Sequence, residues 1–320
     1  MSRLWRSLYL RHVAASSRPV ILGPWHSELG FEALYWIPWL AKWVTHYKVN
    51  PDRLLVVSRG GAAQLYGVAQ TAELYEHLSV KEIRQQTFAT FQAKGSVKQT
   101  GIAPWERQVI DLVASMHGFR RYHLLHPSLM YQALDPWWNS KMSLSAVLNS
   151  LAFTQVGVPP MPGICPLPPK YIAVKFYGRA TFPMNEELFG WASQLLEKLL
   201  TKRPDLHIVL LASGIDSDEH TDFPFKAHDR IHPIAPWCTT TNNLAVQAAV
   251  LSKATAFIGT YGGTMQLAVR MKIPAMGFYT KFEGTCYAHK LLTEYLSVQD
   301  KTSVFIGRPC DADFVHQALG

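Results

Sequence analysis

Cysteine is scarce in the 320-residue sequence, and the four present (Cys165, Cys238, Cys286 and Cys310) are too far apart for a zinc knuckle or a Cys-x-x-Cys redox motif. They read as free thiols of a reducing compartment. No His-Glu-x-x-His motif occurs and no metal-holding acid pair is obvious, so a metal site is unsupported. No apolar run approaches the roughly 20 residues that span a bilayer, and no block of five or more Lys or Arg appears. Charged residues make up only 17%, against 48% hydrophobic ones, which excludes a disordered chain.

The charge that is present is mostly positive. A net charge of +8 points to anionic partners. Its dispersion along the chain argues against nucleic acid, whose footprint is concentrated, and favours a nucleotide-type ligand. Residues 1–18 interleave Arg3, Arg6, Arg11 and Arg18 with Leu4, Trp5, Leu8, Tyr9 and Leu10. The arginines interrupt any secretory apolar core. This start reads either as a disordered or docked terminus or as a basic amphipathic helix lying on a membrane surface. The expected location is cytoplasmic, with peripheral contact at the inner face of the membrane permitted by residues 1–18.

A proline-rich stretch from Val158-Pro159-Pro160-Met161-Pro162-Gly163 to Pro166-Leu167-Pro168-Pro169 denies the backbone donors that helices and central strands need. It marks a linker over 158–169 between domains over 19–157 and 170–320. Each half alternates short apolar runs with helical patterns, the signature of βα units. In the first, a strand at Val20 to Gly23 leads to a helix from Leu29 to Tyr47 with Ser27 as N-cap, apolar almost all round. A strand at Leu54 to Ser58, helices at Val80 to Phe91 and Trp105 to His117, and a strand at Tyr122 to Leu125 follow. In the second, strands are expected at Tyr171 to Tyr177, His207 to Ala212, Ile231 to Ile234, Ala256 to Ile258 and Ala275 to Phe278. Helices are expected at Glu186 to Lys202, Asn242 to Ser252 and Thr264 to Met271. The fold class is α/β with two Rossmann-like domains.

The sharpest local feature is Phe257-Ile258-Gly259-Thr260-Tyr261-Gly262-Gly263-Thr264, a strand running through glycines into a helix. Glycine admits close approach of a ligand, and the amides of a helix start attract phosphate. Thr260 and Thr264 add hydroxyl donors; an ordinary βα turn is the plainer alternative. Lys175 and Arg179 follow the first strand of the same domain and are placed to clamp a diphosphate. Glu283, after another strand end, is a candidate acceptor for a ribose or sugar hydroxyl. In the first domain Trp25, His26, Glu28 and Glu32 crowd a strand-to-helix junction. Glu28 and Glu32, four apart, are expected on one face. His26 or either carboxylate is a candidate general base, and Arg59-Gly60-Gly61 a candidate anion-binding turn.

These blocks together resemble bacterial glycosyltransferases of the GT-B type. The resemblance lies in Gly23-Pro24-Trp25-His26-Ser27-Glu28-Leu29-Gly30-Phe31-Glu32-Ala33-Leu34-Tyr35-Trp36-Ile37-Pro38, in Val56 to Gly61, and in Asn243-Leu244-Ala245-Val246-Gln247 with Phe257 to Gly263. It implies two facing domains, a nucleotide-sugar donor held mainly by the second and a glycan, lipid-linked or small hydroxyl acceptor held mainly by the first. It also implies transfer without metal or cofactor, the departing diphosphate being neutralised by amides and cations. Residues 259 to 264 with Lys175 and Arg179 would then hold the donor, and Glu28 or Glu32 would serve the acceptor, with Trp25 nearby. The stereochemical course and the oligomeric state stay open. A nucleotide-sugar epimerase and a non-catalytic nucleotide or phosphosugar binder are the alternatives.

Overall fold

The computed structural model describes residues 3–94, 98–161, 166–215, 220–282 and 284–311. Of the expected features, Met1 and Ser2 of the basic start, Pro162, Gly163 and Cys165 of the linker stretch, Glu283, and residues 312–320 lie outside the described residues. The chain divides into two units, Met1–Pro159 with Thr240–Ala245, and Pro160–Thr239 with Val246–Gly320.

In the first unit β1 (Val20–Leu22), β2 (Leu54–Ser58), β3 (Gln70–Glu73) and β4 (His123–Leu125) form a parallel sheet in the order β3-β2-β1-β4. β1 and β2 are buried along their whole length, as uninterrupted Val, Ile and Leu runs should be when helices cover both faces of a parallel sheet. The expected helix between them is present as three consecutive pieces: α2 (Leu29–Phe31), a π-helical turn (Glu32–Trp36) and α3 (Ile37–Tyr47). Pro38 has no N–H to give the carbonyl four residues earlier, which accounts for the wider turn just before it. The N-cap position belongs to Glu28, not Ser27, and no side chain caps this helix start. Ser27 contributes its carbonyl, which accepts from Trp25 Nε1 at 3.1 Å.

α4 (Val80–Lys94) and α5 (Pro104–Met116) precede β4; α6 (Ser128–Trp138) and α7 (Leu144–Ser150) follow it. Trp105, Val109, Ile110 and Val113 of α5 pack with Ile21, Leu55 and Val57 of the sheet. A separate aromatic stack joins Trp25 to Trp36 and Tyr131, each pair of ring centres 6.1 Å apart.

The basic start forms a helix, α1 (Arg3–Ala15), docked on this unit. Val13 is buried, Tyr9 Oη donates to Leu124 O at 2.8 Å, and Trp43 Nε1 donates to Leu10 O at 3.1 Å. The end of the helix is held by one cation. Arg53 donates from Nη2 to Val13 O and from Nη1 to Ala14 O, at 2.9 and 3.1 Å, satisfying carbonyls that a helix terminus leaves without internal donors, and from Nε to Arg18 O beyond the helix at 2.9 Å.

In the second unit β5 (Tyr171–Lys175), β7 (His207–Leu210), β9 (Ile231–Pro233), β10 (Ala256–Thr260), β11 (Ala275–Phe278) and β12 (Val304–Gly307) are all parallel, in the order β12-β11-β10-β5-β7-β9. Counted along the chain this is 6-5-4-1-2-3, the Rossmann order read from its other edge. The expected strand Tyr171 to Tyr177 stops at Lys175. Tyr177–Gly178 (β6) instead pairs antiparallel with Thr221–Asp222 (β8). α8 (Glu186–Lys202) is capped by Asn185, whose side chain accepts from Leu188 N, and buries Leu188, Ala192, Leu195, Leu196 and Leu199 at helical spacing. α9 (Asn243–Leu251), whose first three residues are counted with the first unit, α10 (Gly263–Arg270) and α11 (Cys286–Gln299) complete the α-helices of the described residues.

Replacing Arg53 by Ala removes three charge-assisted bonds at the end of α1, each worth about 1.5–3 kcal/mol at most. The expected result is a lowered Tm and faster amide exchange along Arg3–Ala15 than in the rest of the first unit, read by hydrogen exchange.

Candidate functional site

In both sheets the strand order reverses beside the first strand, between β1 and β4 in one unit and between β5 and β10 in the other. Loops leaving the carboxyl ends of two such strands diverge, and open α/β sheets bind ligands there. The residues with the most developed chemistry in this protein follow those four strands.

In the first unit β1 leads to His26 and β4 to His126. A carboxylate from α5 joins them: Glu106 Oε1 lies 3.0 Å from His26 Nε2 and 3.1 Å from His126 Nε2, and accepts from Gln99 Nε2 at 2.8 Å. Its other oxygen accepts from the Ala103 amide. All three titratable side chains are nearly inaccessible. Burial pushes the Glu106 pKa up, but the hydrogen bonds from the two histidines outweigh it and hold the carboxyl well below the ordinary range. An ionised carboxylate only accepts, so both histidines carry their proton on Nε2. His126 Nδ1 then accepts from Ser128 N at 3.2 Å and faces Ser128 Oγ at 3.0 Å.

His26 Nδ1 is buried and has no hydrogen-bond partner among the described residues. Its side chain is 6% exposed. Burial lowers the His26 pKa, with Glu106 opposing, so the ring is neutral near pH 7 with an unused lone pair. His26, Gln99, Trp105 and Glu106 line a small recess together with Thr87, Thr90, Lys98 and Thr100. Lys98 Nζ lies 5.0 Å from the Trp138 ring and 5.3 Å from the Phe31 ring. The motif reading singled out His26 but missed Glu106, His126 and Gln99. The available signal was Pro104 followed by Glu106, which reads as an ordinary helix start.

Other sequence candidates in this unit change role. Glu32 is 0% exposed and held on both oxygens: Oε1 accepts from Ser58 Oγ and Tyr66 Oη, both at 2.7 Å, and Oε2 from Arg59 Nη1 at 2.9 Å. A carboxylate so buried and so occupied anchors β2 and its loop to the helix, and the base is sought at His26. Glu28 is exposed and precedes the helix with extended ψ, so the two acids do not share a face. Trp25 is a fully buried stacking residue and presents no surface to an acceptor. The turn at Arg59-Gly60-Gly61 holds a carboxyl group that the chain itself supplies. The amides of Gly60 and Gly61, both at positive φ, donate to Glu73 Oε1 and Oε2 at 2.8 and 2.7 Å.

In the second unit the glycine turn is packed by the protein itself. A Cβ at Gly259 would lie 2.0 Å from the Lys175 carbonyl oxygen; the missing side chain lets β10 and β5 pair rather than making room for a ligand. Thr260 Oγ1 accepts from Tyr177 N and donates to Tyr177 O, both at 3.0 Å, so its hydroxyl is committed. Tyr261 and Thr264 are buried, and burial pushes the Tyr261 phenol well up. The side chains of these three residues are thus turned into the protein rather than exposed. What the turn does bring together is Gly262, Tyr177 and Arg179. A Cβ at Gly262 would lie 2.0 Å from Tyr177 Oη and 2.8 Å from Arg179 Nη1. The guanidinium thus rests at the N-cap of α10, beside Gly263, the first residue of a helix whose leading amides lack internal acceptors. Paired backbone bonds between Arg179 and Phe182 hold the loop. Lys175 Nζ donates to Gln247 Oε1 at 2.8 Å and lies 5.8 Å from the Tyr177 ring.

No protein-family model matches the sequence, and no curated protein matches it. Among solved structures, the family 9 glycosyl transferase of Veillonella parvula is 12% identical, with 96% of this chain and 90% of that chain covered and a TM-score of 0.45. The E. coli heptosyltransferase WaaC, solved with ADP, is 12% identical over 94% of this chain and 100% of that one, at a TM-score of 0.45. A UDP-N-acetylglucosamine 2-epimerase is 12% identical over 91% and 83%, at 0.34. Each is a likeness of chain path.

Two outcomes are expected. Gly259→Ala sets a methyl against a backbone oxygen that cannot withdraw without disturbing the sheet, costing about 1–3 kcal/mol and visible as a lower Tm. Burial raises the Glu73 pKa from its ordinary value of 4.5 to about 7, with the amides of Gly61, Tyr75 and Gly60 opposing. The folded state therefore binds this proton more tightly than the unfolded one, and its stabilising effect fades as pH rises from 4.5 to about 7. Glu73→Gln should flatten that part of the stability profile measured by denaturant titration; an unchanged slope would refute the assignment.

Proposed function

We propose that this chain is a glycosyltransferase of GT-B type, moving a sugar from a nucleotide-sugar donor to a hydroxyl acceptor without a metal. The observation that carries the reading is the complementary chemistry at the two switch points. One has a neutral histidine with an unused lone pair and a buried ion behind it; the other has a guanidinium at a helix start. The reading assigns acceptor contacts to the first unit and donor contacts to the second.

In this reaction the acceptor oxygen forms a bond to the anomeric carbon as the bond from that carbon to the diphosphate oxygen breaks. The electron pair leaves with the nucleoside diphosphate. His26 Nδ1 takes the acceptor proton, and the imidazolium so formed is stabilised through Nε2 by Glu106. Gln99 and His126 keep that carboxylate from turning away. The leaving diphosphate is met by Arg179 and by the first amides of α10, which are in place before the charge develops. Lys175, bonded to Gln247, is a second cation assigned to the donor. Glu28 is the exposed acid assigned to orienting the acceptor, and Glu283, after β11, to a hydroxyl of the donor.

A thermal-shift screen of nucleoside diphosphate sugars should yield at least one that raises the Tm, since a ligand that binds only the folded form stabilises it. For that donor, Arg179→Ala should weaken binding by about 1.5–3 kcal/mol, roughly ten- to a hundredfold in Kd by calorimetry. His26→Gln should leave donor Kd within about twofold but lower turnover by about 10²–10⁴-fold. Unchanged donor affinity in the arginine variant, or full turnover in the histidine variant, would remove the corresponding half of the mechanism. Conversion of the sugar in the absence of any acceptor would identify an epimerase instead.

A further inference from the structure

The first helix carries apolar side chains on its exposed side as well as on the side packed against the first unit. Its inward face carries Val13, the Tyr9 bond to β4 and the Trp43 bond to Leu10. A helix docked on a soluble body ordinarily turns polar residues outward. Here Leu4 and Leu8, one turn apart, face outward at 68% and 48% exposure, with Trp5 beside them at 67%. Arg3 and Arg11 are exposed on the same helix, with Arg6 half-buried. The helix itself carries no acidic residue, so its own charges have one sign.

Charge decides what fits it. A second copy docked about a two-fold axis would set Arg3 and Arg11 against the same residues, a repulsion that no acid of the helix relieves. An anionic bilayer answers both features. Leucine and tryptophan enter the boundary between headgroups and acyl chains, while arginines meet the headgroup phosphates. We propose that the outward face of α1 is a docking surface for an anionic lipid membrane, with Leu4, Trp5 and Leu8 inserting and Arg3 and Arg11 supplying the attraction. Because Arg53 and Trp43 already hold the helix, docking orders no further backbone. This rests on no part of the transferase reading.

The test is flotation of the full chain with vesicles of phosphatidylcholine alone and of phosphatidylcholine mixed with phosphatidylglycerol at three to one. Binding is expected to the mixed vesicles, to weaken as salt is raised, and to fall at least about tenfold in the triple variant Leu4→Ser, Trp5→Ser, Leu8→Ser. Arg3→Glu with Arg11→Glu should erase the preference for the anionic mixture while keeping the wild-type Tm. That second variant reads the proposal even where the first loses the helix. Absence of binding to the mixed vesicles, or equal binding by wild type and both variants, would overturn it. So would a concentration-dependent dimer by light scattering that the triple variant abolishes, since the face would then be a protein contact.

Discussion

The Glu106 carboxylate carries a full negative charge in a nearly water-free position, and such a charge persists only where donors surround it. Four do: two imidazoles, the Gln99 amide and the Ala103 backbone. Those donors come from the loop after β1, the loop after β4 and the segment before α5. Satisfying one ion therefore ties together three segments that parallel strand pairing alone would leave to diverge. The same constraint settles the proton positions. With Glu106 ionised, both histidines must donate through Nε2, and His26 is left with its basic nitrogen turned away from every described partner.

The second unit solves a related problem with opposite charge. Its switch point carries Arg179 at the start of α10 and Lys175 on Gln247. The packed glycines hold this arrangement in place from beneath. Gly259 admits the neighbouring strand, and Gly262 admits the Tyr177 hydroxyl and the guanidinium. A glycine-rich turn in a sequence thus need not be a ligand cradle throughout; part of its composition serves strand contact, where no Cβ fits. The Gly60-Gly61 turn is a second instance. Its two amides form a nest, and what fills it is the Glu73 carboxyl from β3.

Much of the architecture was legible from periodicity. α8 was bounded at Glu186 and Lys202 and β11 at Ala275 and Phe278, because a long amphipathic pattern and a short buried run speak for themselves. Strand ends were less legible: the sheet releases the chain after Lys175, and nothing in Phe176-Tyr177 signals that the next pairing is antiparallel to a distant segment. α6, α7, α11, β3 and β12 went unassigned. β3 is a half-exposed edge strand of Gln, Thr, Ala and Glu, whose pairing with β2 supplies the preference its own residues lack.

The sequence alone determined the alternation of buried strands and helices, the positive balance of charge, and the neighbourhoods in which chemistry would gather, since all three follow from local composition and spacing. Which acid is a buried ion, which is an anchor and which faces water was decided only in three dimensions. Glu28, Glu32, Glu73 and Glu106 are the same side chain in sequence, and each differs by what distant segments place against it: solvent, Arg59 with two hydroxyls, a pair of amides, or two histidines. Electrostatic character in a low-dielectric interior is set by neighbours within a few ångströms, and those neighbours are brought there by strand order rather than by adjacency along the chain.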